Sequence, residues 1–284
     1  MNYRELTASL AELRGRREAQ AIVRLVMEER FGLSQTDLLL GKDTTLSAND
    51  HAELQKIANR LLLGEPVQYV LGWADFFGLR FKVNNDVLIP RPETEGLIDR
   101  IEKAVATKAD GKWDGLTIAD LCTGSGCICT TLAVRHDRAR VLGLDVSEEA
   151  LEVARINAEE LGVNVEFLRQ DVLDVDATCA NLPVCDVIVS NPPYIMPSEK
   201  TEMESTVIDF EPNIALFTPP DDPLLFYRAI ANIAKKRLCK GGLIACEINA
   251  SLHEETRKVF ADAGFSCTKI FPDCFGRNRI LLAQ

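Results

Sequence analysis

The residues best suited to chemistry in this sequence stand together as Asn191-Pro192-Pro193-Tyr194. They follow an apolar run, residues 186–189, that is typical of a buried strand. The two prolines fix the backbone and remove N–H donors, so the carbonyl oxygens and the Asn191 side chain are held as acceptors. The motif therefore predicts a set of neutral hydrogen-bond acceptors beside the aromatic face of Tyr194.

A second candidate is the glycine turn of residues 120–126, which follows another apolar run and opens a helical pattern. The turn segment Thr123-Gly124-Ser125-Gly126 permits a tight reversal and lets backbone N–H groups approach a ligand. The third glycine of the dinucleotide fingerprint would fall at Cys129, which weakens an NAD dehydrogenase interpretation.

Two carboxylates end the next two strand candidates along the chain. Asp145 is placed to accept hydrogen bonds from both hydroxyls of a ribose, and Asp171 is placed to meet an adenine edge. Either residue could instead cap a helix or sit in a loop. Taken with the glycine turn, their positions at successive strand ends favour an adenosine-containing ligand.

The elements that position these residues alternate between strand and helix over residues 91–284. Such alternation predicts an α/β fold with a mostly parallel sheet of seven strands and helices on both faces. The strand candidates are residues 116–121, 140–144, 165–168, 185–189, 243–247, 267–271 and 279–282. Ligands of such sheets bind at the carboxyl ends of the strands.

The first part of the chain has a different pattern. Residues 1–72 predict a small helical bundle, in which Ser34 and Ser47 are placed as helix caps. Residues 67–71, 76–83 and 87–89 are expected to be short strands, with a turn at residues 84–86. We therefore expect three parts: a bundle over 1–72, a linking hairpin over 73–90, and a ligand-binding domain over 91–284.

Composition sets limits on the partners. The 284 residues carry a net charge of −11, which disfavours stable binding to nucleic acid. The sequence offers no membrane span and no signal peptide, so a cytoplasmic location is expected. We interpret the nine scattered cysteines as reduced, buried packing residues and expect no metal site.

The motifs resemble those of class I S-adenosylmethionine methyltransferases that act on planar nitrogens. Further stretches resemble the HemK/PrmC family over about residue 60 to the end of the chain. They are Gly64-Glu-Pro-Val-Gln-Tyr-Val-Leu-Gly72, Phe76-Phe-Gly78, Leu88-Ile-Pro-Arg-Pro-Glu-Thr-Glu95, Phe210-Glu-Pro-Asn-Ile-Ala-Leu216, Phe226-Tyr-Arg228 and Pro272-Asp-Cys-Phe-Gly-Arg277.

The resemblance implies a Rossmann-like methyltransferase sheet and the chemistry of that family. Its members transfer a methyl group from S-adenosylmethionine to the glutamine of the Gly-Gly-Gln motif in class I peptide-chain release factors, leaving S-adenosylhomocysteine. It implies that Asn191 contacts the cofactor as well as the substrate, and that Pro90 and Glu93 lie on the substrate side. The bundle would then dock the protein substrate.

Two alternatives stay open, and two stretches depart from the family pattern. A methyltransferase acting on an exocyclic amine of a nucleic-acid base would use the same acceptor motif, and a non-catalytic S-adenosylmethionine-binding protein would keep the same sheet. The departures are residues 217–223, where the family usually has a Gly-Gly and then an Asp-Gly, and Ile248-Asn249-Ala250, where a glycine is usual after Glu247. They put local loop shape in question rather than the chemistry.

Overall fold

The computed structural model describes residues 1–108 and 113–284, and the chain divides into two compact units. The first unit comprises Met1–Trp73 and Glu204–Phe210, and the second comprises Ala74–Met203 and Glu211–Gln284. No helix in these described ranges is both long and apolar enough to cross a membrane.

The first unit is helical, as its periodicity predicts. Ser34 and Ser47 accept hydrogen bonds from the backbone N–H groups of Asp37 and Asp50, so both predicted caps are present. Aliphatic and methionine side chains from its first five helices form its core. The helices are α1 (Tyr3–Arg14), α2 (Arg16–Phe31), α3 (Gln35–Leu39), α4 (Ala48–Leu62), α5 (Val67–Leu71) and, from the later segment, α10 (Ser205–Phe210).

The prediction of a strand over residues 67–71 is wrong, because that segment is helix α5. Pro66 precedes it with a fixed backbone, and Gly72 ends it in the left-handed region at φ 83°. The Arg60 guanidinium donates to the carbonyl oxygens of Tyr69 and Val70, which lie at the open end of the helix. These tertiary contacts override the strand preference of Val and Tyr.

A hairpin follows, with a turn that was not predicted. The turn predicted over residues 84–86 is present as well, since the Val87 N–H donates to the Asn84 carbonyl at 3.2 Å. Strands β1 (Trp73–Phe76) and β2 (Leu79–Lys82) are joined by Phe77 and Gly78, both with positive φ, at 52° and 74°. Two such residues favour the twist of a tight hairpin. The single strand expected over 76–83 is therefore wrong. The strand expected over 87–89 is absent too, since Ile89 donates its N–H to a side chain, Glu211.

The second unit contains the predicted sheet, with seven strands in the order β5-β4-β3-β6-β7-β9-β8. The first five in this order are parallel, and β9 pairs antiparallel with both β7 and β8. The strands are β3 (Thr117–Leu121), β4 (Arg140–Asp145), β5 (Glu166–Arg169), β6 (Cys185–Ser190), β7 (Leu238–Glu247), β8 (Thr268–Pro272) and β9 (Asn278–Ala283). All seven predicted strands are confirmed.

Helices cover both faces of this sheet. Ile118 and Val187 point into one apolar cluster, and their neighbours Ala119 and Ile188 point into the other. The helices are α6 (Pro92–Lys108), α7 (Cys127–Arg135), α8 (Glu148–Glu160), α9 (Val175–Asn181), α11 (Asn213–Leu216), α12 (Leu225–Arg237) and α13 (His253–Asp262). The strand order reverses between β3 and β6, which is where such sheets bind ligands.

The cysteines only partly follow the prediction of buried packing residues. Five of them are buried, namely Cys127, Cys129, Cys179, Cys185 and Cys246. Cys267 and Cys274, however, are exposed, because they lie at the two ends of the antiparallel edge strand β8 rather than within it.

Candidate active site

The glycine turn lies between the end of β3 and the start of α7. Gly124 and Gly126 both have positive φ, at 55° and 76°. A Cβ atom built on Gly126 would lie 2.9 Å from the Cβ of Ala154 on α8, so this glycine is required for packing. A Cβ on Gly124 would meet no described atom within 4 Å, so here the glycine serves the backbone conformation.

Asp120, the last polar residue of β3, is fully buried behind this turn. Its Oδ2 accepts hydrogen bonds from the Thr123 hydroxyl at 2.6 Å and the Cys129 N–H at 3.3 Å. Its Oδ1 has no hydrogen-bond partner among the described residues. Burial raises the pKa of Asp120 to about 7, since taking a carboxylate from water disfavours its charged form.

Asp145 ends β4 beside the turn and is fixed by backbone donors. The Gly124 N–H donates to its Oδ2 at 2.8 Å, and the Ser147 N–H donates to its Oδ1 at 3.1 Å. Burial raises the pKa of this carboxyl group. A carboxylate has about four acceptor positions, so two remain for a ligand. Asp171 follows β5 and accepts the N–H of Leu173 at 2.9 Å through Oδ1.

A cavity of about 220 Å³ opens at these strand ends. Its polar wall contains three carboxylates, including Asp145 and Asp171, and its apolar wall contains Val87, Leu88, Ile128 and Phe226. Eight of the predicted site residues line it: Pro90, Thr123, Gly124, Ser125, Asp145, Asp171, Asn191 and Pro193. The structure thus gathers residues that are up to a hundred positions apart in the chain.

Four predicted site residues lie outside this lining. Gly126 is the residue before α7, where it packs on α8. Glu93 is in the first turn of α6. Pro192 is buried within the acceptor turn, and the Tyr194 hydroxyl is directed to Glu247 rather than to the cavity.

The acceptor turn after β6 is held by a network of side chains that sequence patterns do not reveal. Glu247, at the end of β7, is 1% exposed and accepts the Tyr194 hydroxyl at 2.7 Å and the Thr94 hydroxyl at 2.6 Å. Arg279 donates to the Tyr194 oxygen at 2.9 Å. The Asn191 Nδ2 lies 3.4 Å from the Thr94 oxygen. Burial raises the pKa of Glu247, and the Arg279 charge opposes that shift.

Asn249 supports the same turn from the loop that follows β7. Its side-chain Nδ2 donates to the Tyr194 carbonyl at 3.0 Å and to Glu199 Oε2 at 2.8 Å. Its N–H donates to the Tyr227 hydroxyl at 3.2 Å. The sequence marked Asn249 only as a departure from the family pattern, and its part in the turn was not predicted.

A further missed residue is Glu211, which shapes the cavity wall at Pro90. Its buried carboxylate accepts the Ile89 N–H at 3.2 Å and forms an ion pair with Arg91. It therefore holds the backbone before Pro90 and the side chain after it. Its pKa is raised by burial and lowered by the Arg91 charge, with burial the larger cause. The signal was present in the sequence, since Glu211 belongs to the quoted Phe210-Glu-Pro-Asn stretch.

The donor set suits an adenosine-containing sulfonium ligand. Asp145 keeps free acceptor positions for a ribose diol, and Val146 and Leu173 supply apolar walls on the same side of the cavity. The buried Asp120 carboxyl group, with one unpartnered oxygen, lies beneath the turn. Among the described residues, no group of three or more His, Cys, Asp or Glu side chains could hold a metal ion.

Comparisons with known proteins agree with this arrangement. Residues 3–72 match the family described as PrmC N-terminal domain, and residues 112–269 match that described as Methyltransferase domain. The release factor glutamine methyltransferase of Bacteroides thetaiotaomicron is 41% identical, over 97% of this chain and 96% of its own. That of Flavobacterium psychrophilum is 36% identical, over 99% and 97%.

Solved structures support the fold assignment. The hMettl16 catalytic domain superposes with a TM-score of 0.54 at 17% identity, covering 73% of this chain and 75% of that one. A 16S rRNA methyltransferase of T. thermophilus, solved with AdoMet and guanosine, gives 0.52 at 18% identity, covering 75% and 49%. The predicted Rossmann-like methyltransferase sheet is thereby confirmed.

Proposed function

This chain belongs to the release factor glutamine methyltransferase family, and on that premise we propose that it methylates a glutamine side-chain amide in class I peptide-chain release factors. The methyl donor is S-adenosylmethionine, which leaves as S-adenosylhomocysteine. We further propose that the acceptor is the glutamine of the Gly-Gly-Gln motif. Because release factors act in translation, we place the reaction in the cytoplasm, with no membrane or stable nucleic-acid partner.

The observation that carries this proposal is the neutral acceptor Asn191 in the same cavity as Asp145. Asn191 stands after β6 and Asp145 ends β4, on the two sides of β3, where the strand order reverses. A ribose held at Asp145 and an amide held at Asn191 would share one cavity of about 220 Å³. We assign the cofactor to Thr123, Gly124, Ser125, Asp145 and Asp171, and the substrate amide to Asn191, Pro192 and Pro193.

A glutamine amide nitrogen is a weak nucleophile because its lone pair is delocalised into the carbonyl. S-adenosylmethionine supplies the driving force, as a methyl group on a sulfonium with a neutral leaving group. The Asn191 oxygen and the Pro192 carbonyl can each accept one N–H of the substrate amide, which orients the nitrogen. Both bonds strengthen as positive charge develops on that nitrogen during methyl transfer.

The substrate nitrogen gains the methyl group and then loses one proton, so no strong base is required before transfer. The described cavity wall contains no histidine, which agrees with such a mechanism. Acceptors that are neutral also avoid a tight ion pair with the sulfonium in the ground state. The site therefore acts chiefly by orientation and by electrostatic stabilisation.

The experiment is methylation of a purified release factor with labelled S-adenosylmethionine, followed by peptide mass spectrometry. We expect a gain of one methyl group on the Gly-Gly-Gln glutamine. A release factor with that glutamine replaced by glutamate is the control and should stay unmodified. Label transferred instead to DNA or RNA would support the base-methylating alternative, and label on neither would support a binding protein without activity.

We also propose that the helical bundle docks the release factor. One glutamine offers too little surface to select a protein, and the first unit exposes Leu39, Leu40 and Leu63 by 74%, 70% and 79%. Replacing these leucines with serine should raise KM for the intact release factor by roughly tenfold, the scale of losing an interface anchor. The rate on a short Gly-Gly-Gln peptide should not change.

A matched control is Val184→Ser, which removes an exposed apolar side chain from the loop before β6. It should alter neither KM. Equal losses on the peptide and the intact protein after the leucine substitutions would contradict docking and indicate a structural role for these leucines.

A further inference from the structure

We propose that Thr94 and Glu247 are positioning residues that fix which way the Asn191 side-chain amide faces. This inference rests on the proposed function, because it concerns how Asn191 meets the substrate amide. The two ends of an asparagine amide have nearly the same shape but opposite hydrogen-bonding character. Only the orientation that offers Oδ1 to the substrate NH₂ is productive, since the reverse would oppose two donors.

The direction of every hydrogen bond in the network follows from its charged end. The Arg279 guanidinium has donors only, so the Tyr194 oxygen accepts from it at 2.9 Å. The Tyr194 proton is then free for Glu247 Oε1, 2.7 Å away. The other carboxylate oxygen, Oε2, accepts the Thr94 hydroxyl at 2.6 Å. The Arg279 charge favours the ionised form of Glu247 against the effect of burial. An ionised Glu247 has no proton to return, so both hydroxyls donate to it.

Thr94 has only one hydroxyl proton, and Glu247 takes it. Toward Asn191, 3.4 Å away, the Thr94 oxygen can therefore only accept. The Asn191 group that faces it must be the NH₂, which leaves Oδ1 as the acceptor offered elsewhere in the cavity. Thr94 is 2% exposed and Glu247 is 1% exposed, so little of either side chain is accessible to bulk water.

The network joins the acceptor turn after β6 to three elements that are distant from it in sequence. Thr94 is in the first turn of α6, Glu247 ends β7, and Arg279 lies in β9. Arg279 is itself held near Asp273, with 3.4 Å between its Nε and the Asp273 carboxylate. The orientation of the amide is thus set by residues that do not touch the reacting atoms.

The variants that test this are Thr94→Val, which removes the hydroxyl at nearly constant shape, and Thr94→Ser, which keeps it. With release factor as substrate, Thr94→Val should lower kcat by about tenfold, the scale of one lost hydrogen bond of about 1.4 kcal/mol. KM and the Kd for S-adenosylmethionine should stay within about twofold of wild type. A general loss of structure would not lower kcat while leaving KM and Kd unchanged. Thr94→Ser should restore kcat.

A double-mutant cycle shows whether Thr94 acts through Asn191. In an Asn191→Ala background, Thr94→Val should cause no further loss of kcat. A second tenfold loss in that background, or a normal kcat for Thr94→Val alone, would overturn the inference.

The amide orientation is also measurable without activity. In ¹⁵N-labelled wild-type protein, nuclear Overhauser effects should connect the Asn191 NH₂ protons to the Thr94 side chain. These effects should weaken in Glu247→Gln. The new amide can donate to the Thr94 oxygen, which frees the Thr94 hydroxyl proton to point toward Asn191. If these signals are present but wild type does not methylate a release factor, the proposed function fails and the orientation stands. If wild type is active but the signals are absent, the inference fails alone.

Discussion

The two sides of the cavity are built in different ways. On the side that we assign to the cofactor, Asp145 is held by backbone N–H groups of Gly124 and Ser147, from the turn beside it and the loop directly after it. On the acceptor side, Asn191 is held by Thr94, which is held by Glu247, and these three residues come from separate elements. The first arrangement is made mainly of backbone, and the second is made of buried side chains.

This difference predicts different consequences of substitution. Backbone donors keep their positions when one side chain is lost, so damage on the cofactor side should stay local and appear as weaker binding. A buried network has no substitute for a missing member, because each unpaired polar atom there carries a desolvation cost. Damage on the acceptor side should therefore appear in turnover.

The largest expected effect is that of Asn191→Ala. Turnover should fall roughly 10²–10³-fold, as for loss of one preorganised transition-state hydrogen bond. The Kd for S-adenosylmethionine, measured by titration calorimetry, should barely change. The matched control is Asn164→Ala. Asn164 is exposed in the loop before the edge strand β5, so this variant should behave as wild type. Near-normal turnover of Asn191→Ala would remove this residue from the reaction.

Asp145→Ala should give the opposite pattern. Loss of hydrogen bonds to a charged group should weaken S-adenosylmethionine binding by about 1.5–3 kcal/mol, with kcat at saturating cofactor much less affected. Asp145→Asn, which keeps one acceptor oxygen, should lose less. Unchanged affinity of Asp145→Ala in titration calorimetry would show that the ribose is held elsewhere. The contrast between a binding defect at Asp145 and a turnover defect at Asn191 would then be lost.

Asn249→Ala tests the support of the acceptor turn. It removes the donors to the Tyr194 carbonyl and to Glu199, so the free energy of unfolding should fall by about 1–2 kcal/mol. Denaturant unfolding measures this loss, and kcat should fall in parallel. Should stability and kcat both match those of Asn164→Ala, the turn does not depend on Asn249.

The last expected effect is on stability alone and concerns pH and Asp120. Its pKa is about 7 when folded and near the ordinary 3.8 when unfolded. Between these values the folded state binds more protons, so stability falls as pH rises from about 4 to about 7. In cofactor-free protein, Asp120→Asn should flatten this dependence, as followed by denaturant unfolding across that range. The exposed control Asp137→Asn should keep the wild-type slope, and parallel curves for all three proteins would contradict the burial effect.

The sequence by itself determined the sheet and the residues that we assign to the cofactor and to the acceptor turn. Apolar runs marked all seven strands, most clearly the central parallel ones, which are buried on both faces. Asp145 and Asp171 were found because a strand end fixes where its last polar residue lies. Asn191 was found because paired prolines leave few conformations for the turn. Each of these signals is local, so it survives in a one-dimensional pattern.

Only the tertiary structure decided the rest. Residues 67–71 form a helix because the Arg60 guanidinium meets their carbonyl groups, a contact that residue preferences alone do not contain. The network extends over more than 180 positions of the chain, from Thr94 through Glu247 to Arg279, and no spacing rule relates these residues. They meet because β7 and β9 are paired in the sheet and α6 packs against both strands. A buried network is specified by burial and proximity together, and both are properties of the folded chain.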